Sequence, residues 1–223
     1  MASSVTSIQF FSEFQFSDLG YLGQAAIKTV EISAIAIVFG TILGVIYGWL
    51  LSISRYISIP LGALLDVFRS VPLIIQLVLF YNFVPIIGFS LDPFDAGALV
   101  LAFYTSALVA NVARGGIESV PSSIRNASRS LGMSYFQDIR YIVLPIGVRT
   151  VLPAWTGIAL GVLKDSALVS VLGYVELLRA SQILITRTQE PFIILSIVAA
   201  FYFALSYPIS LLATRIEKRW KHD

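Results

Sequence analysis

Cysteine is absent from the 223 residues, and histidine occurs once, as His222. The first absence excludes a disulfide framework, a thiolate metal site and a cysteine nucleophile. The second leaves a zinc hydrolase, or an enzyme with a histidine general base, with little to work with. Charge is scarce too: 13% of residues are Asp, Glu, Lys or Arg, against about 25% in a soluble domain. The Gly-x4-Gly-Lys-Ser/Thr loop that cradles nucleotide phosphates does not occur; Gly161 and Lys164 approach it with the wrong spacing. Phosphate-bond chemistry on this chain is therefore not expected. A net charge of +2 is too mild to point to nucleic acid. No linker-like Gly/Ser/Pro stretch or shift in composition divides residues 1–223, so one domain is expected.

What the chain has in abundance is apolar surface. Hydrophobic residues make up 57%, and the mean hydropathy is +0.85. A bilayer core about 30 Å thick is spanned by about 20 apolar residues at 1.5 Å each. Runs of that kind cover about 25–51, 61–84, 94–113, 146–175 and 191–214, which predicts an all-α integral membrane protein with about five transmembrane helices. The fourth is irregular: Thr150 to Leu163 is too short to cross, Lys164 and Asp165 interrupt, and Ser166 to Val175 resumes. Gly40, Gly44 and Gly48 repeat at four-residue spacing and put a close-packing stripe on one face of the first span. Pro72, Pro85 and Pro208 remove backbone donors within spans and are expected to bend them.

Lys and Arg in short loops mark the cytoplasmic side. Arg55, then Arg114, Arg125, Arg129, Arg140 and Arg149, then Arg215, Lys218, Arg219 and Lys221 cluster at alternate connections, whereas Pro85 to Pro93 has none. Five crossings then place the N-terminus outside and the C-terminus inside. Arg179 and Arg187 run against this rule, since they fall on the outer side. No basic n-region followed by an apolar h-region is visible, so no cleavable signal peptide is expected. The alternation of aromatic and polar residues from Phe10 to Phe16 suits a segment lying in the membrane surface.

Between the third and fourth spans, Ser119 to Pro145 reads as a helical hairpin. Pro121 suits a first helical turn, Ser122 to Leu131 continue it, and Gly132 suits a left-handed stop. Ser134 with Gln137 forms a capping-box pattern for a second helix toward Val143, and Leu144-Pro145 marks the start of the fourth span. Such a hairpin offers a rigid knob to a partner protein.

Asn126-Ala127-Ser128, then Gly132, then Ile142-x-Leu144-Pro145 closely resembles the EAA loop of bacterial ATP-binding-cassette (ABC) importer permeases, where Glu-Ala-Ala leads to Gly and to Ile-x-Leu-Pro at the same spacings. Phe68-Arg69-Ser70-Val71-Pro72-Leu73, Arg114-Gly115-Gly116-Ile117 and Leu163-Lys164-Asp165-Ser166-Ala167-Leu168 resemble landmarks of the subfamily that serves polar amino acids. The resemblance covers nearly the whole chain. It implies a multi-pass permease of the bacterial inner membrane, with Ser119 to Pro145 as a cytoplasmic coupling hairpin. It further implies a partner ATPase dimer that uses ATP and Mg, a second permease subunit, identical or related, and an extracytoplasmic substrate-binding protein. No cofactor or metal is expected on this chain. Arg125, Asn126, Ala127, Ser128, Arg129 and Gly132 are the expected coupling residues. Asn126 stands where the family has Glu, so docking through a carboxylate is replaced by hydrogen bonding.

Substrate candidates follow from the cost of ionisable groups at membrane depth, about 2.5–3.5 kcal/mol each on insertion scales. Lys164 and Asp165 offer a cation and an anion, the complement of an amino acid's carboxylate and ammonium. Ser166, Arg69, Gln76 and Asn111 are further polar candidates for the pathway. Two alternatives stay open: a secondary transporter or channel driven through Lys164 and Asp165, and an ABC importer permease for a solute other than an amino acid.

Overall fold

The computed structural model describes residues 13–220. The first part of the Phe10–Phe16 segment, together with His222, falls outside them. Helix α1 (Phe16–Ile53) opens with a capping box in which the Gln15 N–H donates to Asp18 Oδ2 at 2.9 Å. It ends where Ser54 turns extended and caps α2 (Arg55–Ser70). Between α2 and α3 (Leu73–Phe83) the chain bends by 102°. The break falls at Val71-Pro72, where Pro72 has no N–H to continue the ladder. Gln76 braces the corner, donating from Nε2 to the carbonyls of Phe68 at 2.7 Å and Val71 at 2.8 Å. The second apolar run is thus a broken span.

Helix α4 (Pro93–Glu118) is capped by Asp92. The hairpin helices are α5 (Ser122–Ser130) and α6 (Tyr135–Asp138). A π-type turn over Ile139–Val143 joins α6 to α7 (Leu144–Asp165) without a break. The Leu144-Pro145 pair therefore lies inside one continuous helical run rather than at a loop: the wider turn accommodates the missing Pro145 donor. A 3₁₀ stretch, Ser166–Leu172, ends the run at Gly173. Helix α8 (Leu177–Thr188) and the long α9 (Pro191–Trp220) complete the described chain.

Close glycine contacts fix the topology. A methyl group added at Gly40 would come within 2.5 Å of Thr105, at Gly44 within 2.6 Å of Val109, and at Gly48 within 2.6 Å of Ala113. Both helices advance together through these pairs, so α1 and α4 are parallel and in near backbone contact. The bent α2–α3 pair must then carry the chain back across the apolar layer. Helix α7 runs the other way along α4, because Gly97 packs on Val169 while Gly116 meets Gly147 and Val151. Helix α9 starts beside α1, with Ile194 and Val198 against Leu22, Ala25 and Ala26. Four helices, or five with the bent α2–α3 pair as one span, are thus long and apolar enough to cross a membrane, and the described ends lie on opposite faces of the bundle. Large apolar side chains such as Ile42, Leu79 and Phe203 stay exposed along these helices, as lipid contact requires.

Candidate functional site

The hairpin is built by local chemistry that the residues dictate. Pro121 occupies the N-cap of α5, one position ahead of the first helical turn. At the other end, Gly132 has a φ of +83°, the Gly132 N–H donates to Arg129 O at 3.0 Å and the Met133 N–H to Ser128 O at 3.1 Å. These bonds form a Schellman stop. Ser134 and Gln137 then exchange the two capping-box bonds that start α6.

Asp138, 1% exposed, holds the two short helices together. Arg125 Nε donates to its Oδ2 at 3.1 Å, and Ser128 Oγ to its Oδ1 at 2.8 Å. Trp49 Nε1 donates to Tyr135 Oη at 3.1 Å, and the Arg129 guanidinium lies 5.6 Å over the Tyr135 ring. The hairpin is fastened in this way to the end of α1.

Of the six expected coupling residues, Asn126, Ala127, Arg129 and Gly132 are exposed, whereas Ser128 is buried and Arg125 turns inward to Asp138. The last two are braces rather than outward contacts. The physical reason is Asp138, whose buried carboxylate needs donors and takes the nearest ones. Sequence reasoning also missed Leu131, 85% exposed, and Ile124, which give the knob an apolar tip.

At the far end of the same helical run, Lys164 and Asp165 close α7 where it tightens into the 3₁₀ stretch. Lys164 is exposed and Asp165 half-buried, and neither joins an ion pair among the described residues. Val169, Gly97 and Ile32 share one layer, and Ile32 begins the uncharged stretch of α1. The pair therefore sits four or five residues further into the bundle than that layer, about 8–10 Å at the 3₁₀ rise. Tyr104 on α4 is within electrostatic reach of Asp165, a neighbour that sequence distance concealed.

The remaining candidates are not gathered around this pair. Ser166 is buried and donates to Leu163 O at 2.8 Å. Arg69 pairs with Asp66 on its own helix. Gln76 spends its Nε2 on the α2–α3 corner, while its Oε1 is buried without a partner at a cavity of about 550 Å³ lined by Phe68, Phe80 and Phe103. Asn111 is exposed on α4.

The family model described as the binding-protein-dependent transport system inner membrane component matches residues 36–222. The chain belongs to this family. It is therefore the membrane-spanning permease of an ABC importer, a multi-pass component of the inner membrane. It is 28% identical over 201 residues to the glutamine transport system permease protein GlnP of Escherichia coli K12, covering 89% of this chain and 92% of that one. The probable glutamine ABC transporter permease protein GlnP of Bacillus subtilis 168 is 29% identical over 222 residues, covering 95% and 99%. Among solved structures, an amino acid ABC transporter crystallised with histidines matches with a TM-score of 0.80 at 30% identity, covering 93% of this chain and 100% of that one. An inward-facing MetNI methionine ABC transporter shares the fold, with a TM-score of 0.82 at 20% identity, covering 92% and 99%.

Proposed function

We propose that this permease imports polar amino acids by alternating access, with the hairpin end cytoplasmic and the N-terminal end of α1 outside. A partner ATPase dimer, using ATP and Mg, docks on the exposed side of the hairpin. A second permease chain completes the pathway, and an extracytoplasmic binding protein delivers the substrate. The glutamine systems of its relatives support the substrate class, as does the amino acid transporter at 30% identity. Orientation is supported by charge. Arg55, Arg114, Arg125, Arg129, Arg140, Arg149 and Arg215 gather at the hairpin end, against Lys28, Arg179 and Arg187 at the other.

The observation that carries the mechanism is the continuous helical run from Tyr135 to Leu172. One end belongs to the hairpin and the other bears Lys164 and Asp165. About 45 Å separates Tyr135 from Asp165 along the axis at 1.5 Å per residue. ATPase closure displaces the knob at Asn126 and Arg129, and the helix carries that displacement to the pair. A bound amino acid places its carboxylate toward Lys164 and its ammonium toward Asp165, and the tilt of α7 changes which side reaches them.

The test is reconstitution in proteoliposomes with the ATPase and binding protein that serve this permease. Uptake of labelled glutamine, histidine or arginine is expected with ATP inside the vesicles and no ion gradient. Uptake driven by a proton or sodium gradient without ATP would overturn the mechanism in favour of a secondary transporter. ATP-driven uptake of a metal chelate or a quaternary amine, with no amino acid carried, would overturn the substrate class alone.

A further inference from the structure

Helix α7 buries Gly147, Thr156, Ala159, Val162 and Leu163. On its remaining face, Arg149, Pro153, Gly157, Gly161 and Lys164 follow at steps of three and four residues and form one stripe. A methyl group added at Gly157 or Gly161 would meet nothing within 4 Å, so the other helices of the chain leave the stripe uncovered there. At its inner end Arg149, Thr150 and Pro153 line a groove of about 250 Å³ together with Glu217 and Trp220 of α9. We propose that Arg149 and Glu217 form a second subsite for the transported amino acid, occupied between its departure from Lys164 and Asp165 and its release to the cytoplasm. This rests on the substrate class and orientation proposed above.

The position of the groove makes it an inner mouth. Gly147 lies on Gly116 and α7 runs opposite to α4, so Arg149 is level with Arg114, where the uncharged run of α4 from Ala96 to Ala113 ends. Along the helix axis, Arg149 stands about 22 Å from Lys164 at 1.5 Å per residue. Between them, Pro153, Gly157 and Gly161 offer no side-chain charge, donor or acceptor. A zwitterion that leaves Lys164 and Asp165 along this stripe therefore meets its next cation and anion at Arg149 and Glu217.

The two charges share the groove without joining each other. Neither Arg149 nor Glu217 belongs to an ion pair among the described residues. The Arg149 guanidinium instead lies 6.0 Å over the Trp220 ring, a contact that holds its plane and leaves its N–H donors for a carboxylate. Thr150 Oγ1 donates to Ile146 O at 3.1 Å, and its lone pairs remain to accept from an ammonium near Glu217. An inorganic anion or an anionic lipid headgroup satisfies Arg149 alone and is opposed by Glu217. A carboxylate and an ammonium on one small molecule satisfy both, as they do at Lys164 and Asp165.

The test approaches the groove from its own side. The full transporter is reconstituted in liposomes free of phosphatidylethanolamine, whose headgroup also joins an ammonium to an anion, with ATP in the lumen and the binding protein outside. Initial uptake of whichever of labelled glutamine, histidine or arginine it carries is measured against the same amino acid, unlabelled, preloaded in the lumen. Luminal amino acid is expected to slow uptake, and Arg149→Gln and Glu217→Gln are each expected to raise the half-inhibiting concentration about tenfold, the loss of one charge-assisted hydrogen bond. The half-saturating concentration outside is expected to stay within about twofold, because that step precedes arrival at the groove. Arg149→Lys keeps the cation and is expected to retain most of the inhibition. The amino acid amide, which lacks the carboxylate, is expected to inhibit the wild type and Arg149→Gln alike while still separating Glu217→Gln. Equal half-inhibiting concentrations in the wild type and both Gln variants, or no luminal inhibition, would overturn the subsite and leave the importer reading intact. A difference among the variants that emerges only when phosphatidylethanolamine is added would assign the groove to lipid and overturn the proposal. Absence of ATP-driven uptake of all three amino acids would overturn the substrate class and the subsite with it.

Discussion

Arg125 on α5 donates to Asp138 on α6 across 3.1 Å, and this ion pair, joined by the Ser128 hydroxyl, is the clasp of the hairpin. Removing the carboxylate deprives Arg125 of its partner and leaves the Ser128 hydroxyl only the Arg125 carbonyl, at 2.9 Å, so the two short helices are free to separate. Asp138→Ala is expected to cost about 1–3 kcal/mol locally, the range for a charge-assisted bond at a site where one partner retains some solvent. The exposed contacts at Asn126, Ala127 and Arg129 are untouched. The expected result is an assembled transporter in which proteolysis between Ser122 and Ser134 accelerates about tenfold and uptake per ATP hydrolysed falls. Equal protection of the wild type and Asp138→Ala would show that the clasp is dispensable.

Gly44 lies under Val109 so closely that a Cβ would stand 2.6 Å from the valine's own. Real carbon pairs prefer about 3.5–4.0 Å. Gly44→Ala must therefore push α1 and α4 apart by about 1 Å, costing about 1–3 kcal/mol as an overpacked contact. Thermal unfolding in detergent should register the loss. The double variant with Val109→Ala should recover only part of it, because the Cγ1 at 2.8 Å is gone while the residue 109 Cβ at 2.6 Å and the Ser106 carbonyl at 2.9 Å remain.

The glycine stripe, the capping box at Ser134 and the stop at Gly132 were legible because each depends on neighbours within a turn or on strict helical spacing. The five apolar runs were legible for the same reason. The corner at Val71-Pro72 was foreseen only as a kink: a bend of 102° requires Gln76 to hold two carbonyls, and that partnership becomes visible only in three dimensions. Arg125 and Ser128 looked like surface contacts because Asp138 is distant enough in sequence to hide what they satisfy. Lys164 and Asp165 stood out as charges within an apolar run, but their nearness to Tyr104 depends on how α7 lies against α4.

Glu176 is a buried carboxylate at the N-cap of α8. It accepts from the N–H groups of Leu178 and Arg179, each at 2.8 Å, and from Tyr202 Oη at 3.3 Å. Burial pushes its carboxyl above the ordinary glutamate value, and these bonds, with Thr29, recover only part of the shift. The folded chain therefore holds this proton more tightly than the unfolded one. Between the unfolded and the raised folded value, stability falls as pH increases, and above the folded value the term is constant. Glu176→Gln removes the slope, so the wild type should lose thermal stability relative to this variant as pH rises from acid toward neutral. Glu176→Ala should lie about 1–2 kcal/mol below Glu176→Gln at every pH, through the lost cap. Parallel pH profiles for the wild type and Glu176→Gln would contradict this account.

Lys164 and Asp165 are adjacent and inside the apolar layer, so holding them there costs free energy that no ion pair among the described residues offsets. A zwitterionic substrate would offset it during transport. Because successive residues on a helix do not face each other, each should serve one end of the substrate and be lost independently. Lys164→Ala and Asp165→Ala are each expected to raise the half-saturating amino acid concentration about 10- to 100-fold in proteoliposomes, the equivalent of one charge-assisted hydrogen bond. Basal ATP hydrolysis should persist, since the hairpin lies at the other end of the run. The sharper discrimination uses substrate chemistry. Blocking the carboxylate of the amino acid as its amide should remove the difference between wild type and Lys164→Ala while preserving the Asp165→Ala defect. Unchanged affinity and rate in both variants would remove the pair from the pathway.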